Sequence, residues 1–291
     1  MIGYLQVLGA VLIWAIFNGA VVRGCKTSGV GVGTWTGLTG VVIFSLFFLL
    51  GGHSFPHLNQ AQVIGLVCLG TFAALNNICC YTGIKISMVN TLLFHYLAPL
   101  LIPVWAILIP SFKINIGVMD IVALVVGVVG MIWIGIPNFQ GNKKWLYFAL
   151  GSAFFYSLEI VFSGYVSSKD HLYISDDIAA LAKLSTQAIF MPFVGTILLA
   201  RLLPKIDFSL GIKNNEISKL MLGGALLYVS FILYFSGSAT VGAMPRGMLG
   251  YIDRIGAIVI GVIFFHEKIT KQAWIGGAII LGASLLVVLF R

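Results

Sequence analysis

The amino-acid sequence predicts an all-α membrane protein with ten transmembrane helices, arranged as two inverted five-helix repeats around a central cavity. Three observations lead there. The chain has 291 residues, 59% hydrophobic and only 9% charged, with a mean hydropathy of +1.05. Apolar stretches of spanning length recur from one end to the other, separated by short loops. The two halves also superpose, at a shift of 155 over 81–136 and of 142 at their first helices, the longer loops of the second half absorbing the difference.

The composition acts first by exclusion. A soluble domain keeps roughly 25% of its residues charged so that its surface stays hydrated. With 9% charged, a soluble enzyme, a nucleic-acid-binding domain and a disordered chain are all ruled out. The net charge of +8 sets 17 Lys and Arg against 9 Asp and Glu, and the basic residues are scattered over short loops. That distribution sets membrane topology and meets anionic lipid headgroups. It is not the clustered footprint of a nucleic-acid binder.

An apolar stretch of about 20 residues crosses a bilayer as a helix. The first, roughly 3–22, stops at Arg23-Gly24, and the second, 32–51, at Gly51-Gly52. The third, 61–84, follows Pro56 and Asn59 and ends at Lys85; the fourth, 87–109, ends at Pro110. The fifth, 115–136, closes at Pro137-Asn138, and the sixth, 145–166, opens after Lys143-Lys144. The seventh, 178–203, lies between Asp176-Asp177 and Pro204, and the eighth, 217–236, follows Glu216. The ninth, 241–265, stops at His266-Glu267-Lys268, and the tenth, 272–290, reaches the end of the chain. No loop has room for a soluble domain, so function must reside in the bundle. The N-terminus lacks the basic region and small-residue site of a cleavable signal.

A shift of 155 sets Tyr96 on Tyr251, Lys113-Ile114 on Lys268-Ile269 and Gly127 on Gly282. A shift of 142 pairs Trp14 with Tyr156 in the first helix of each half. The expected units are therefore 1–136 and 143–291. Because five helices is an odd number, the second unit must enter the membrane upside down, an arrangement associated with alternating-access transport. The 34 glycines read mainly as close helix contacts. Cys25, Cys68, Cys79 and Cys80 show no disulfide framework and no metal spacing, so they read as small packing residues.

The segment Phe265-His266-Glu267-Lys268-Ile269-Thr270, followed by Trp274-Ile275-Gly276-Gly277 and a glycine-bearing last helix, resembles the EamA-type transporters of the drug/metabolite transporter superfamily. His95-Tyr96-Leu97-Ala98-Pro99 resembles that family's fourth-helix motif, and Trp14 stands where a first-helix Trp is common. The resemblance implies a basket of ten helices whose cavity is lined by helices 1, 3, 4, 6, 8 and 9. It also implies a multi-pass carrier in the cytoplasmic membrane. Two departures stand out: Ser111-Phe112-Lys113 lacks the Glu that Glu267 supplies, and Arg254 follows Asp253 where a proline is usual. Loop lysines favour an external N-terminus, whereas the resemblance implies an internal one.

Candidate site residues are polar groups within apolar runs, since a charge at the bilayer centre costs at least ~2.5–3.5 kcal/mol. Glu159 lies well inside the sixth helix, with Tyr156 and Ser163 at helical spacing. It is a cation or proton site, or else a structural carboxylate bonded to a neighbouring helix. Asp253 and Arg254 diverge by about 100° on the ninth helix, and Arg246 lies on nearly the same face; Arg254 or Arg246 suits a carboxylate. Lys183 and Asp120 read as interfacial groups that snorkel. The neutral candidates are Trp14, Asn18, Asn77, Tyr81, His95, Tyr96, Tyr228 and Tyr251. Their aromatic members also suit a cation-binding pocket.

No catalytic motif is present: the string begun by His266-Glu267 has Thr270 where a second histidine would bind metal. The expectation is a secondary transporter for a small polar metabolite, foremost a zwitterionic amino acid, with no cofactor and no metal. Organic or quaternary cations, held by Glu159 and aromatic rings, are the second reading, and a non-transporting membrane subunit is the third. The expected partners are the lipid bilayer, the small-molecule substrate and, as candidate coupling ion, the proton. Nucleic acid is not among them, and the chain acts as a monomer or homodimer.

Overall fold

The computed structural model describes residues 2–52, 55–95, 97–109, 117–138, 144–213, 215–238, 240–241, 243–266 and 271–289. Tyr96, the Glu267–Thr270 segment and Lys113 lie outside the described residues, as do the side chains of Asp120, Tyr251 and Arg254. Every regular element among the described residues is helical. The chain is an all-α, multi-pass integral membrane protein. Among the described residues six helices are long and apolar enough to cross a bilayer: Ile2–Arg23, Gly29–Leu50, Gln60–Ile86, Lys144–Ser167, Asp176–Leu202 and Ile217–Ser238. In hydrocarbon each backbone N–H and C=O must be satisfied within its own segment, which is why apolar runs of this length become helices.

The elements, in chain order, begin with α1 (Ile2–Ile16), which continues through wider π-type turns over Phe17–Arg23. α2 (Gly29–Leu50) starts on the N-cap Ser28, whose hydroxyl accepts from the Gly31 N–H. α3 (Gln60–Ile86) starts on a reciprocal cap between Asn59 and Gln62. α4 (Met88–His95) and α5 (Ala98–Leu108) follow, then α6 (Val118–Asn138) and α7 (Lys144–Ser167). α8 (Asp176–Pro192) passes through π-type turns at Phe193–Leu199 into the short α9 (Ala200–Leu202). The chain closes with α10 (Ile217–Ser238), α11 (Ala243–Phe265) and α12 (Lys271–Leu289).

Sequence reading expected one continuous helix over 87–109, but the structure breaks it between His95 and Ala98. Pro99 is the cause. It has no N–H to donate to the carbonyl four residues back, that of His95, and its ring crowds the same carbonyl. The chain turns there instead, with Leu97 N–H bonded to the Phe94 carbonyl at 3.1 Å.

α1 packs on α10 and α11, α2 on α8 and α10, α3 on α7 and α8, and α6 on α12. Small residues let these backbones meet without much side chain between them. At the α1–α10 crossing a Cβ on Gly237 would stand 2.6 Å from the Gly3 carbonyl oxygen and 2.6 Å from Val7 Cγ2. Gly237→Ala must therefore push α1 away, at about 1–3 kcal/mol of stability. Thermal unfolding in detergent measures this, and an unchanged midpoint contradicts the packing described. The four cysteines are free thiols.

Candidate functional site

Helical spacing brings one face from each of six helices to the middle of the bundle, polar from all but α10. α1 contributes Trp14, Phe17 and Asn18; α3 contributes Asn76, Asn77, Cys80 and Tyr81; α7 contributes Tyr156 and Glu159. α8 adds Lys183, α10 adds Leu227 and Phe231, and α11 adds Asp253. Offsets of three or four residues link Trp14 to Phe17 and Asn18, Asn76 to Cys80, Asn77 to Tyr81, Tyr156 to Glu159 and Leu227 to Phe231, so each set covers one side of its helix. The space they enclose has about 30 Å³ open to the centre of a water molecule. That is room for a water or two.

An ion pair dominates this cavity. Lys183 Nζ lies 2.5 Å from Glu159 Oε1, and both side chains are 5% exposed or less. The ammonium sits over the Phe231 ring at 4.0 Å, with the rings of Trp14, Tyr234 and Phe235 at 5.6–5.7 Å. These aromatic faces attract a cation through their quadrupoles. The other carboxylate oxygen of Glu159 accepts from Asn76 Nδ2 at 3.0 Å. Asn76 Oδ1 in turn accepts from Ser152 Oγ at 2.8 Å, and Ser152 Oγ lies 2.6 Å from His95 Nδ1. The row Lys183–Glu159–Asn76–Ser152–His95 joins α8, α7, α3 and α4. Its amide member holds geometry rather than passing protons, because a carboxamide has no labile proton of ordinary basicity.

The remaining polar groups are tied down as well. Trp14 Nε1 donates to Ser230 Oγ at 2.8 Å, and Asn18 Nδ2 reaches Asp253 Oδ1 at 3.5 Å. Asn77 Nδ2 donates to Gln187 Oε1 at 2.9 Å, and Gln187 Nε2 donates to the Gly33 carbonyl at 2.7 Å. Arg246, 1% exposed, donates to Ser163 Oγ at 2.8 Å, Ser238 Oγ at 2.7 Å and the Ile160 carbonyl at 3.2 Å. It lies over the Tyr234 ring at 5.7 Å. Among the described residues its hydrogen-bond partners are neutral, and it does not line the cavity.

The second half of the chain, residues 143–289, matches the family model of the EamA-like transporter family. The chain belongs to that family. Its members are transporters and not enzymes, in line with the missing catalytic motifs. None of the curated proteins matches this EamA-like transporter. One solved crystal structure superposes on it with a TM-score of 0.72, covering 99% of each chain at 15% identity, a likeness of fold alone.

Of the residues singled out in the sequence of this EamA-like transporter, the structure brings together Trp14, Asn18, Asn77, Tyr81, Tyr156, Glu159 and Asp253. His95 stands one layer behind, its ring 4.6 Å from that of Tyr156. Tyr228 does not join them. It faces α2, stacked on Phe47 and edge-on to Phe44 at 6.2 Å each, because its neighbours Leu227 and Phe231 take the cavity side of α10. Lys183 is the main correction. Expected to snorkel to an interface, it lies in the core, because α8 packs that face on α2 and α3. The sequence carried a faint signal for this: Lys183 and Gln187 share a helical face, and two polar groups on one face of a span seldom both point to lipid.

Proposed function

We propose that this protein is a secondary transporter that carries a zwitterionic amino acid across the cytoplasmic membrane by alternating access. The observation that carries the reading is the Lys183–Glu159 pair in the cavity. When a zwitterion enters, its ammonium takes the place of Lys183 Nζ at Glu159, and its carboxylate takes the place of Glu159 at Lys183. One buried pair becomes two, and no buried charge is left alone. A cation entering by itself strands Lys183, and an anion by itself strands Glu159. Leaving one member of a buried pair uncompensated costs about 3–5 kcal/mol. The carboxylate role first given to Arg254 or Arg246 passes to Lys183, since Arg246 turns its guanidinium to Ser163, Ser238 and the Ile160 carbonyl and does not line the cavity.

Ligand pockets typically enclose about 300–1,000 Å³, far more than the space between these side chains. Substrate entry therefore separates Lys183 from Glu159 and moves α8 and α10 away from α3 and α7. Ten helices in two inverted halves, 1–136 and 143–291, supply a natural way to do so. Three features support that architecture. Residues 26–29, 82–86 and 205–207 meet Lys144 at one end, while 56–62, 167–177 and 232–236 meet at the other, so α1 and α7 run in opposite directions. The first helix of each half packs on the third helix of the other, α1 on α10 and α7 on α3. Finally, the shift of 155 sets Arg254 opposite Pro99, and α11 runs unbroken where α4 and α5 part.

Proton exchange, in this reading, uses Glu159. Proteoliposomes with an imposed pH gradient are expected to accumulate labelled amino acid with the wild-type protein, and to lose that pH-driven flux in Glu159→Gln. Intact pH coupling in the variant sinks the assignment.

A further inference from the structure

At the end of the bundle where α2 begins, the chain forms a second pocket of about 290 Å³ that the amino-acid reading does not use. It lies between the α1–α2 loop, the last turn of α3, the first residue of α7 and the loop after α9. Lys26, Lys85, Lys144 and Lys205 line it, and α2 directs its N-terminal end toward it. Lys85 Nζ already donates to the Cys25 carbonyl and keeps its remaining N–H donors, and the positive end of a 22-residue helix dipole adds to the four ammonium groups. The carboxylates nearby are already engaged. Asp207 accepts from Lys213 Nζ at 2.8 Å, and this bond holds its carboxyl down to about 2. Glu216 accepts from the N–H groups of Lys26 and Thr27 and from the Thr27 hydroxyl.

A second, independent observation points to a ligand. Thr82 lines the pocket, is 2% exposed, and its hydroxyl has no hydrogen-bond partner among the described residues. A helical threonine ordinarily bonds back to the carbonyl four residues earlier, as Thr36, Thr39, Thr186 and Thr196 do. Thr82, like Thr34 and Thr91, forgoes that bond, and of these three it is Thr82 that lines the pocket.

We propose that this basic pocket binds a phosphate group, held by the ammonium groups of Lys26, Lys85, Lys144 and Lys205 and by the Thr82 hydroxyl. A phosphate monoester brings close to two negative charges and three strong acceptor oxygens. That matches several cations and a hydroxyl converging on one space better than a single carboxylate does. A soluble phosphate or phosphate monoester carries this chemistry in full, and the phosphodiester headgroup of an anionic phospholipid at the membrane surface carries it with one negative charge and two free oxygens.

The test uses the purified full-length protein and its thermal unfolding midpoint. Inorganic phosphate and glycerol 3-phosphate are titrated in micelles free of anionic lipid, against chloride at matched ionic strength. In parallel, nanodiscs of phosphatidylglycerol are compared with nanodiscs of phosphatidylcholine. A saturable rise in midpoint is expected in one arm or the other. A rise in micelles assigns a soluble phosphate; a rise confined to phosphatidylglycerol assigns the lipid headgroup. The double variant Lys26→Gln/Lys205→Gln, at two exposed positions, should weaken half-saturation by about tenfold or more. Thr82→Val should weaken it while leaving the ligand-free midpoint no lower, because it removes an unpaired buried hydroxyl. A response matched by chloride, no response in either arm, or wild-type binding in the double variant overturns the proposal.

Discussion

Replacing Lys183 with Met is expected to lower the unfolding free energy by about 3–5 kcal/mol, the cost of stranding one member of a buried ion pair. Glu159, 4% exposed, would keep the Asn76 amide as a hydrogen-bond donor but lose the cation that neutralises it. The double variant Lys183→Met/Glu159→Gln is expected to recover most of that loss. A neutral amide beside a thioether of lysine's length leaves no charge to solvate, and Asn76 can still turn to bond the new side chain. Substrate flux should be absent from both. Thermal unfolding in detergent reads the first effect and counterflow in proteoliposomes the second. A single variant as stable as the wild type, or a double variant no better than the single one, would show that the pair is not coupled as described.

Substrate analogues should discriminate nearly as strongly. Removing one partner of a buried, hydrogen-bonded charge pair costs about 2–5 kcal/mol, which corresponds to about thirtyfold to several-thousandfold in affinity. An amino acid converted to its decarboxylated amine loses the group that meets Lys183. The N-acetylated form loses the group that meets Glu159. Both are expected to compete against labelled amino acid in counterflow more weakly by at least the lower figure. An amine that competes as well as its parent amino acid would make the protein a carrier of organic cations instead.

The helix spans were legible because they depend on local signals. Apolar runs with Gly, Pro and charged residues between them set where each helix lies, to within a few residues for Ile2–Arg23, Lys144–Ser167 and Ile217–Ser238. The break at His95–Ala98 is legible too, in Pro99, although the run around it is long enough to read as a single span. Glu159 and Asp253 stood out because a carboxylate inside such a run demands a cavity or a partner. What those partners are depends on tertiary packing. Lys183 lies seven residues after the first residue of α8, about 10 Å along the axis, within reach of the interface for a flexible side chain. Only the packing of α8 on α2 and α3 turns it inward. Asn76 was missed beside Asn77 because neighbours on a helix differ by about 100°, so sequence alone does not show that both line one cavity, as they do. Tyr228 was chosen by residue type, whereas the geometry of α10 gives the cavity to Leu227 and Phe231.

The central claim is that the Lys183–Glu159 pair opens to receive a zwitterion. It is tested most directly by thermal stabilisation of the purified wild-type protein with a panel of free amino acids, their decarboxylated amines and quaternary ammonium compounds, repeated on Lys183→Met/Glu159→Gln. At 100 times the dissociation constant a ligand that binds only the folded state adds about 2.7 kcal/mol. The prediction is a rise of that size with at least one amino acid, little with its amine, and none in the double variant. Stabilisation by amines or quaternary ammonium compounds alone, or an amino-acid response that survives in the double variant, would contradict it.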